Sequence, residues 1–330
     1  MSTNGIRKLL VELQHVQDRF ATEFGVTDIF SNSKIFEILI ADHLGLTLIP
    51  GHSGSRDAKD SAGNEIEIKH FKETSSNHSW TFNDFSDNTI EKLRTRVASV
   101  VFAHVDDLAE IPVVDWYFQV PGKEVSQYLK SATKAIANMR KMINISARQI
   151  ETKMHHAQLS KRSRVNPYSR LLSEVFRIIR ELEAISGVSN LLTSSKLWEL
   201  VVAIELDHKV NSEQGGRAGA YDAEDRSGGS YEYKVIKLGQ SAWNFQDISD
   251  AVLKKYRDRE GIVLAVVDKS RLKTKTIYFV DPDRLVPHLK NKLEARRQRL
   301  QANGEELRRN QVSLSASELR LLGAKSVFSA

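Results

Sequence analysis

The sequence predicts an α/β (α+β) protein made of two copies of one unit, each a mixed sheet flanked by helices. Three observations predict it. The chain is written twice, with the same motifs recurring in the same order. In each copy the apolar period changes from 3.6 to 2, the signature of helices followed by strands. A chain of 330 residues with 41% hydrophobic content can bury two cores of ordinary domain size.

The repetition is read directly. Gly25–Thr27 (GVT) returns as Gly187–Ser189 (GVS), and Ser33–Glu37 (SKIFE) returns as Ser195–Glu199 (SKLWE). Asp57, Gly63, Glu67 and Lys69 return with their spacing kept as Asp222, Gly228, Glu232 and Lys234. Trp80–Asp87 (WTFNDFSD) faces Trp243–Asp250 (WNFQDISD), and even the ends agree, Ile145–Ile150 (ISARQI) with Leu314–Leu319 (LSASEL). Repeats of this length are complete domains rather than solenoid units. The expected division is 1–157, a linker at 158–168 where polar and basic residues lead to Pro167, and 169–330.

Each copy opens with an amphipathic helix, with Leu9, Leu10, Leu13, Val16 and Phe20 on one face in the first and Leu172, Val175, Ile178, Ile179 and Leu182 in the second. A second helix carries the Ser-Lys-x-x-Glu stretch. Asp and Gly then mark a β-turn, and the alternation at 64–69 and 230–234 predicts a strand. A third helix is predicted near 86–97 and 249–257, then strands near 100–104, 113–118, 262–266 and 276–280, then a long polar helix closing each copy. This order implies a mixed sheet between helices.

Composition narrows the function classes. Charged residues make up 27%, no apolar run approaches the roughly 18 residues of a membrane span, and the first residues lack the apolar core of a secretory signal. No membrane association and a cytoplasmic location are expected. The absence of Cys excludes disulfide frameworks, thiolate zinc sites and cysteine nucleophiles. Net charge is +6, with basic residues concentrated at 290–299 and 153–170, the pattern of a helix face or a solvated linker and a weak attraction to polyanions. No Walker-type glycine loop is present, so ATP-driven movement is not indicated.

On a strand, residues two apart share a face, so Glu67 and Lys69 point one way and Ile66 and Ile68 the other. The same alternation holds for Glu232 and Lys234 against Tyr231 and Tyr233. A hairpin brings Asp57 beside Glu67, and Asp222 beside Glu232. Two hard carboxylates facing one point suit Mg2+, which shares its coordination with substrate phosphate. The neighbouring Lys holds or helps deprotonate water and offsets charge on the phosphorane. The expected catalytic groups are Asp57, Glu67, Lys69, Asp222, Glu232 and Lys234. Asp60 and Asp225 are expected to be turn residues only.

Asp-(x)9-Glu-x-Lys resembles the PD-(D/E)XK nuclease superfamily, and the first copy resembles PvuII-type restriction endonucleases through Gly25–Phe30, Leu46–Gly51 and Asp57–Lys69. In the second copy Asp222–Lys234, Lys254–Arg257 and the tail 310–323 resemble the same family. The resemblance implies a restriction-endonuclease-like core that cuts duplex DNA. It implies Mg2+ held by Asp57, Glu67 and the carbonyl of Ile68, and by Asp222, Glu232 and the carbonyl of Tyr233. Mn2+ would substitute, and Ca2+ would bind without cleavage. Glu37 and Glu199 stand where related nucleases sometimes supply a further acid, although a surface Glu is the commoner case. Family members pair as homodimers; this chain fuses both units, so a single-chain pseudodimer acting as a monomer is expected. A cognate DNA methyltransferase, completing a restriction-modification system, follows from the resemblance alone.

After the catalytic strand, Asn83, Asp84 and Ser86, with Gln246, Asp247 and Ser249, stand where the family reads bases. Asn or Gln pairs with adenine and Asp accepts from cytosine; the other role for Asp84 or Ser86, and for Asp247 or Ser249, is helix N-capping. Trp80, Phe82, Trp243 and Phe245 fit core or stacking on DNA. His70, His78 and His104 have no repeated partner and no assigned role. Three functions stay open at this point: a type II restriction endonuclease cutting one strand per repeat, a structure- or mismatch-specific repair nuclease, and a DNA-binding module without catalysis.

Overall fold

In the computed structural model, α1 (Thr3–Phe24) and α2 (Lys34–Leu44) open the first copy. Strands β1 (Thr47–Leu48), β2 (Ala58–Lys59), β3 (Glu65–Lys72) and β4 (Trp80–Phe82) follow, then α3 (Asp87–Arg96), β5 (Val97–Asp106) and β6 (Val113–Pro121). The copy ends with α4 (Gly122–Thr133), β7 (Ile143–Ile145), α5 (Ala147–Lys153) and β8 (Gln158–Ser160). The second runs α6 (Tyr168–Ser186), α7 (Lys196–Leu206), β9 (Lys209–Val210), β10 (Ala223–Glu224), β11 (Ser230–Lys237) and β12 (Ala242–Phe245). It continues through α8 (Asp250–Arg257), β13 (Gly261–Asp268), β14 (Lys273–Val280), α9 (Pro282–Ala302), β15 (Val312–Ser315), α10 (Ala316–Leu321) and β16 (Lys325–Ser329). The structure describes all residues but 1–2, 50–55, 84–85, 135, 137–141, 161–167, 193–194, 213–220, 306 and 308–309, and the side chain of Asn32. Most of the expected basic linker, with Lys161, Arg162 and Arg164, and also Arg308 and Arg309, lie outside the described residues.

Two six-stranded mixed sheets carry the fold, ordered β1-β2-β3-β5-β6-β8 and β9-β10-β11-β13-β14-β16. In each, the central pair is parallel: β3 runs with β5, Lys69 opposite Phe102, and β11 runs with β13, Lys234 opposite Leu264. The neighbours are antiparallel. The crossover through α3 or α8 is what permits the parallel step. No helix among the described residues is long and apolar enough to cross a membrane.

The chain forms two compact units, His15–Arg180, and Met1–Gln14 together with Glu181–Ala330. In the first, Trp80, Phe82, Phe102, Val120, Val125 and Leu129 form the core between the sheet and α3–α4. In the other, Trp243, Phe245, Leu264, Val280, Leu285 and Leu289 do the same. Trp80 is fully buried and donates from Nε1 to the Ala103 carbonyl at 2.8 Å; Trp243 repeats this to Ala265 at 3.1 Å. Trp80, Phe82, Trp243 and Phe245 are therefore core.

The ends of each copy differ from a single closing helix. A two-stranded sheet forms in each, β4 with β7 and β12 with β15. The matching ends at Ile145–Ile150 and Leu314–Leu319 are a strand passing into a capping box, Ser146 with Gln149 and Ser315 with Glu318. In this motif the Ser hydroxyl and the Gln or Glu side chain each satisfy a backbone N–H that the helix start leaves unpaired.

Candidate active site

Each site starts at a tight turn. Asp60 Oδ1 accepts from the backbone N–H groups of Ala62 and Asn64, both at 2.9 Å, and Asp225 Oδ1 accepts from Ser227 and Gly229, both at 2.8 Å. Gly63 (φ 84) and Gly228 (φ 87) take the left-handed conformation the turn requires. Asp60 and Asp225 are thus turn residues.

The turn returns the chain so that β2 pairs with the start of β3, Lys59 opposite Glu65 and Ala58 opposite Ile66. The Asp57 N–H donates to the Ile66 carbonyl at 2.9 Å, and the Asp57 side chain takes over where the ladder stops, with Oδ2 accepting from the Ile68 N–H at 2.8 Å. The second copy repeats this, Asp222 N–H to the Tyr231 carbonyl at 3.0 Å and the Tyr233 N–H to Asp222 Oδ2 at 2.8 Å. Backbone groups two apart leave the same edge of a strand, so Ile68 and Tyr233 present their peptide edges toward the aspartates.

Glu67 and Glu232 are buried, 7% and 6% exposed. Lys69 Nζ donates to Glu67 Oε1, and Lys234 Nζ donates to Glu232 Oε1 at 2.6 Å. The other oxygen of each, Oε2, is buried without a hydrogen bond; for Glu232 the Lys255 ammonium lies 3.4 Å away. Each lysine also sits over an aromatic ring, Lys69 over Phe82 at 5.4 Å and Lys234 over Tyr256 at 5.5 Å.

Burial sets the charge states. Asp222 is pushed up to about 7, first by burial and then by Glu199 and Glu232. Burial raises Glu37 to about 7, with Asp57 adding to it, and burial raises Glu67 against the pull of Lys69. Burial alone disfavours the ammonium of Lys69 or Lys234, but Glu67 and Asp57, or Glu232, Tyr256 and Asp222, outweigh it and hold both lysines above their usual value.

Glu37 and Glu199, on the first turns of α2 and α7, are thereby placed within electrostatic reach of Asp57 and Asp222. Two further lysines come with them. Lys34 Nζ donates to Glu37 Oε2 at 2.7 Å and Lys196 Nζ to Glu199 Oε2 at 2.8 Å. Sequence reasoning assigned these lysines no role, although the repeated Ser-Lys-x-x-Glu stretch carries them. Lys255, within the Lys254–Arg257 stretch, was likewise missed.

The segments after β4 and β12 present Asn83, Gln246 and Asp247 exposed. Asp84 lies outside the described residues. Serine is the N-cap of each following helix, Ser86 accepting from the Thr89 N–H at 3.2 Å and Ser249 from the Val252 N–H at 3.3 Å. Asp247 is therefore not the cap residue.

Two six-stranded mixed sheets flanked by helices, each with an Asp-Glu-Lys cluster beside its central parallel pair, define a two-repeat restriction-endonuclease-like fold. Residues 1–159 match the family model described as restriction endonuclease PvuII, so this part of the chain is similar to a restriction endonuclease. No curated protein matches the chain.

Proposed function

We propose that the chain is a sequence-specific, Mg2+-dependent type II restriction endonuclease that hydrolyses duplex DNA, each repeat cutting one strand. The carrying observation is that the Asp-Glu-Lys arrangement occurs twice with the same bonds, Asp to the middle of the strand and Lys to Glu. Similarity of residues 1–159 to restriction endonuclease PvuII supports the same reading.

The donor set fits the cation. Each cluster has a buried carboxylate oxygen, Glu67 Oε2 or Glu232 Oε2, with no hydrogen bond, beside an Asp whose other oxygen is already engaged. Among the described residues no group of three His, Asp or Glu has metal-holding geometry. Two carboxylates and a carbonyl at each cluster suit Mg2+, which binds through one or two carboxylates and completes its shell with water and substrate phosphate. Asp57, Glu67 and the Ile68 carbonyl would hold one ion; Asp222, Glu232 and the Tyr233 carbonyl would hold the other. Bound there, the cation would activate water and offset phosphate charge. Lys69 and Lys234, kept protonated by their carboxylate neighbours, hold the attacking water or a phosphate oxygen by donating to it rather than removing its proton. Asn83, Asp84, Gln246 and Asp247 would read base edges, with Ser86 and Ser249 fixing the helices behind them. Mn2+ would replace Mg2+, and Ca2+ would support binding alone.

Digestion of long duplex DNA by purified protein in Mg2+, with the ends sequenced, tests this. Discrete fragments sharing a short motif are expected, and the ends give target and stagger. A smear or cutting confined to mismatches would favour a repair nuclease; retention of DNA in Ca2+ with no cleavage in Mg2+ would favour a silent binding module.

Metal binding should also depend on pH. Asp222 has an ordinary value of 3.8 and a buried value of about 7, so the folded, metal-free chain binds this proton more tightly than the unfolded chain. Its contribution to stability is present below about pH 4 and is lost as pH rises through about 7. Mg2+ needs the carboxylate and releases the proton, so its affinity for the second site should rise about tenfold per pH unit below about 7. Thermal unfolding with and without Mg2+ is expected to show greater stabilisation at about pH 8 than at about pH 5.5. Asp222→Asn should abolish that difference at the second site.

A further inference from the structure

We propose that the first repeat binds a flat, uncharged heteroaromatic molecule of purine size in a pocket on one face of its sheet, at the place where the second repeat carries a stack of its own aromatic rings. The pocket has a volume of about 440 Å3, and its walls include His43, Leu46, Ile66, Val101, Tyr117 and Gln119. That volume, and an apolar lining with a few polar groups, are those of a small-molecule site. Side chains alternate along β3, so Ile66 faces away from Glu67 and Lys69. An occupant therefore lies on the other side of the sheet from the Asp-Glu-Lys cluster, and its binding is separate from the proposed cleavage.

Strand register gives the correspondence between the copies. Val101 stands opposite Ile68 and Gln119, and Val263 opposite Tyr233 and Phe279, so Phe279 takes the place of Gln119. Tyr231, opposite Ala223, takes the place of Ile66, opposite Ala58. Leu48 and Val210 pair with the same two alanines, so His208 takes the place of Leu46. In the second copy these three rings lie against one another: the centroids of His208 and Tyr231 are 4.5 Å apart, and those of Tyr231 and Phe279 are 5.7 Å apart with 18° between their planes. Separations of this size are those of paired aromatic rings. The first copy has no ring at any of the three positions, and a flat aromatic molecule in the pocket would restore the layer.

His43 supplies a polar contact. Its Nε2 is buried with no hydrogen-bond partner among the described residues, and a buried polar atom left unpaired carries a cost that a ligand can relieve. Burial holds the imidazole below its usual value, so at neutral pH it is uncharged and suits a neutral N–H or ring nitrogen. Its ring stands edge to face with Tyr117, centroids 5.9 Å apart. The second copy lacks this group as well as the space. Glu205 stands in the place of His43 near the end of α7, and Arg7 donates to it at 2.9 Å. Adenine, a flat ring with an N–H beside a ring nitrogen, is the probe this chemistry selects.

Calorimetric titration and ligand-observed NMR with adenine on the full chain test this, with ribose as a polar control that has no aromatic ring. One adenine per chain is expected, with a dissociation constant on the order of 0.1–1 mM, as so small a ligand allows, and ribose should not bind. Gln119→Phe puts the ring of the second copy into the pocket and should abolish adenine binding. His43→Phe keeps a ring but removes the nitrogen and should weaken binding about tenfold. Thermal melting followed by circular dichroism checks that each variant is folded, and each is read by itself, so that misfolding of one leaves the other decisive. No adenine bound, ribose bound as well as adenine, two equivalent sites per chain, or unchanged affinity in either folded variant would overturn the site. None of these outcomes bears on DNA cleavage, which the digestion of duplex DNA tests separately.

Discussion

Replacing Asp57 by Asn is expected to abolish cleavage of one defined DNA strand and leave the other strand cut at its original rate. Asp57 anchors the first cluster twice, through its N–H to the Ile66 carbonyl and through Oδ2 to the Ile68 N–H. The amide keeps the shape but loses the negative charge, so the site would lose one of the two carboxylates proposed to hold the metal. An effect of roughly a thousandfold on that strand, about 4 kcal/mol of barrier, is expected. Asp222→Asn should spare the strand that Asp57→Asn loses. Supercoiled plasmid carrying the target would accumulate as nicked circles with either variant, and strand-specific end labelling would show complementary nicks. Linear product at the full rate with Asp57→Asn would mean that the two clusters do not each serve one strand.

The second large effect concerns stability. Trp80→Ala should destabilise the protein by about 3–5 kcal/mol. The indole is fully buried and packs on Phe71, Phe102 and Phe118, with centroids 5.0, 5.3 and 6.2 Å away. Its loss opens a large cavity and leaves the Ala103 carbonyl without its 2.8 Å donor. Phe in the same place fills most of the volume and loses mainly the hydrogen bond, so it should recover more than half of the deficit. Urea unfolding followed by circular dichroism measures both, and an Ala variant within about 1 kcal/mol of the parent would contradict this packing.

Much of this site was legible in the residues. The spacing of Asp57, Glu67 and Lys69 works because a strand repeats every two residues and a short turn returns the chain, and both are local properties. The turn roles of Asp60 and Asp225 were legible for the same reason, since Asp bonds to its own backbone there. The small sheets β4·β7 and β12·β15 were not, because strands of three or four residues carry too short a period to be read and their partners lie far along the chain. Which residue caps each following helix turned on one atom. The Ser86 and Ser249 hydroxyls meet the helix N–H groups, a matter of backbone approach that composition does not reveal.

The sequence by itself determined that the chain is two copies of one unit, the order of the main helices and strands, and which acids and lysines share a strand face. These follow from periodicity and turn chemistry, which act over a few residues. Tertiary structure alone decided the strand order of the sheets and the membership of the compact units, in which 1–14 join 181–330 and 168–180 belong with 15–167. It also decided that Lys34 and Lys196 are buried against Glu37 and Glu199, and that one oxygen of Glu67 and of Glu232 is left without a hydrogen bond. Burial and the fields it concentrates depend on segments distant in the chain, and a side chain's charge state follows from what finally covers it.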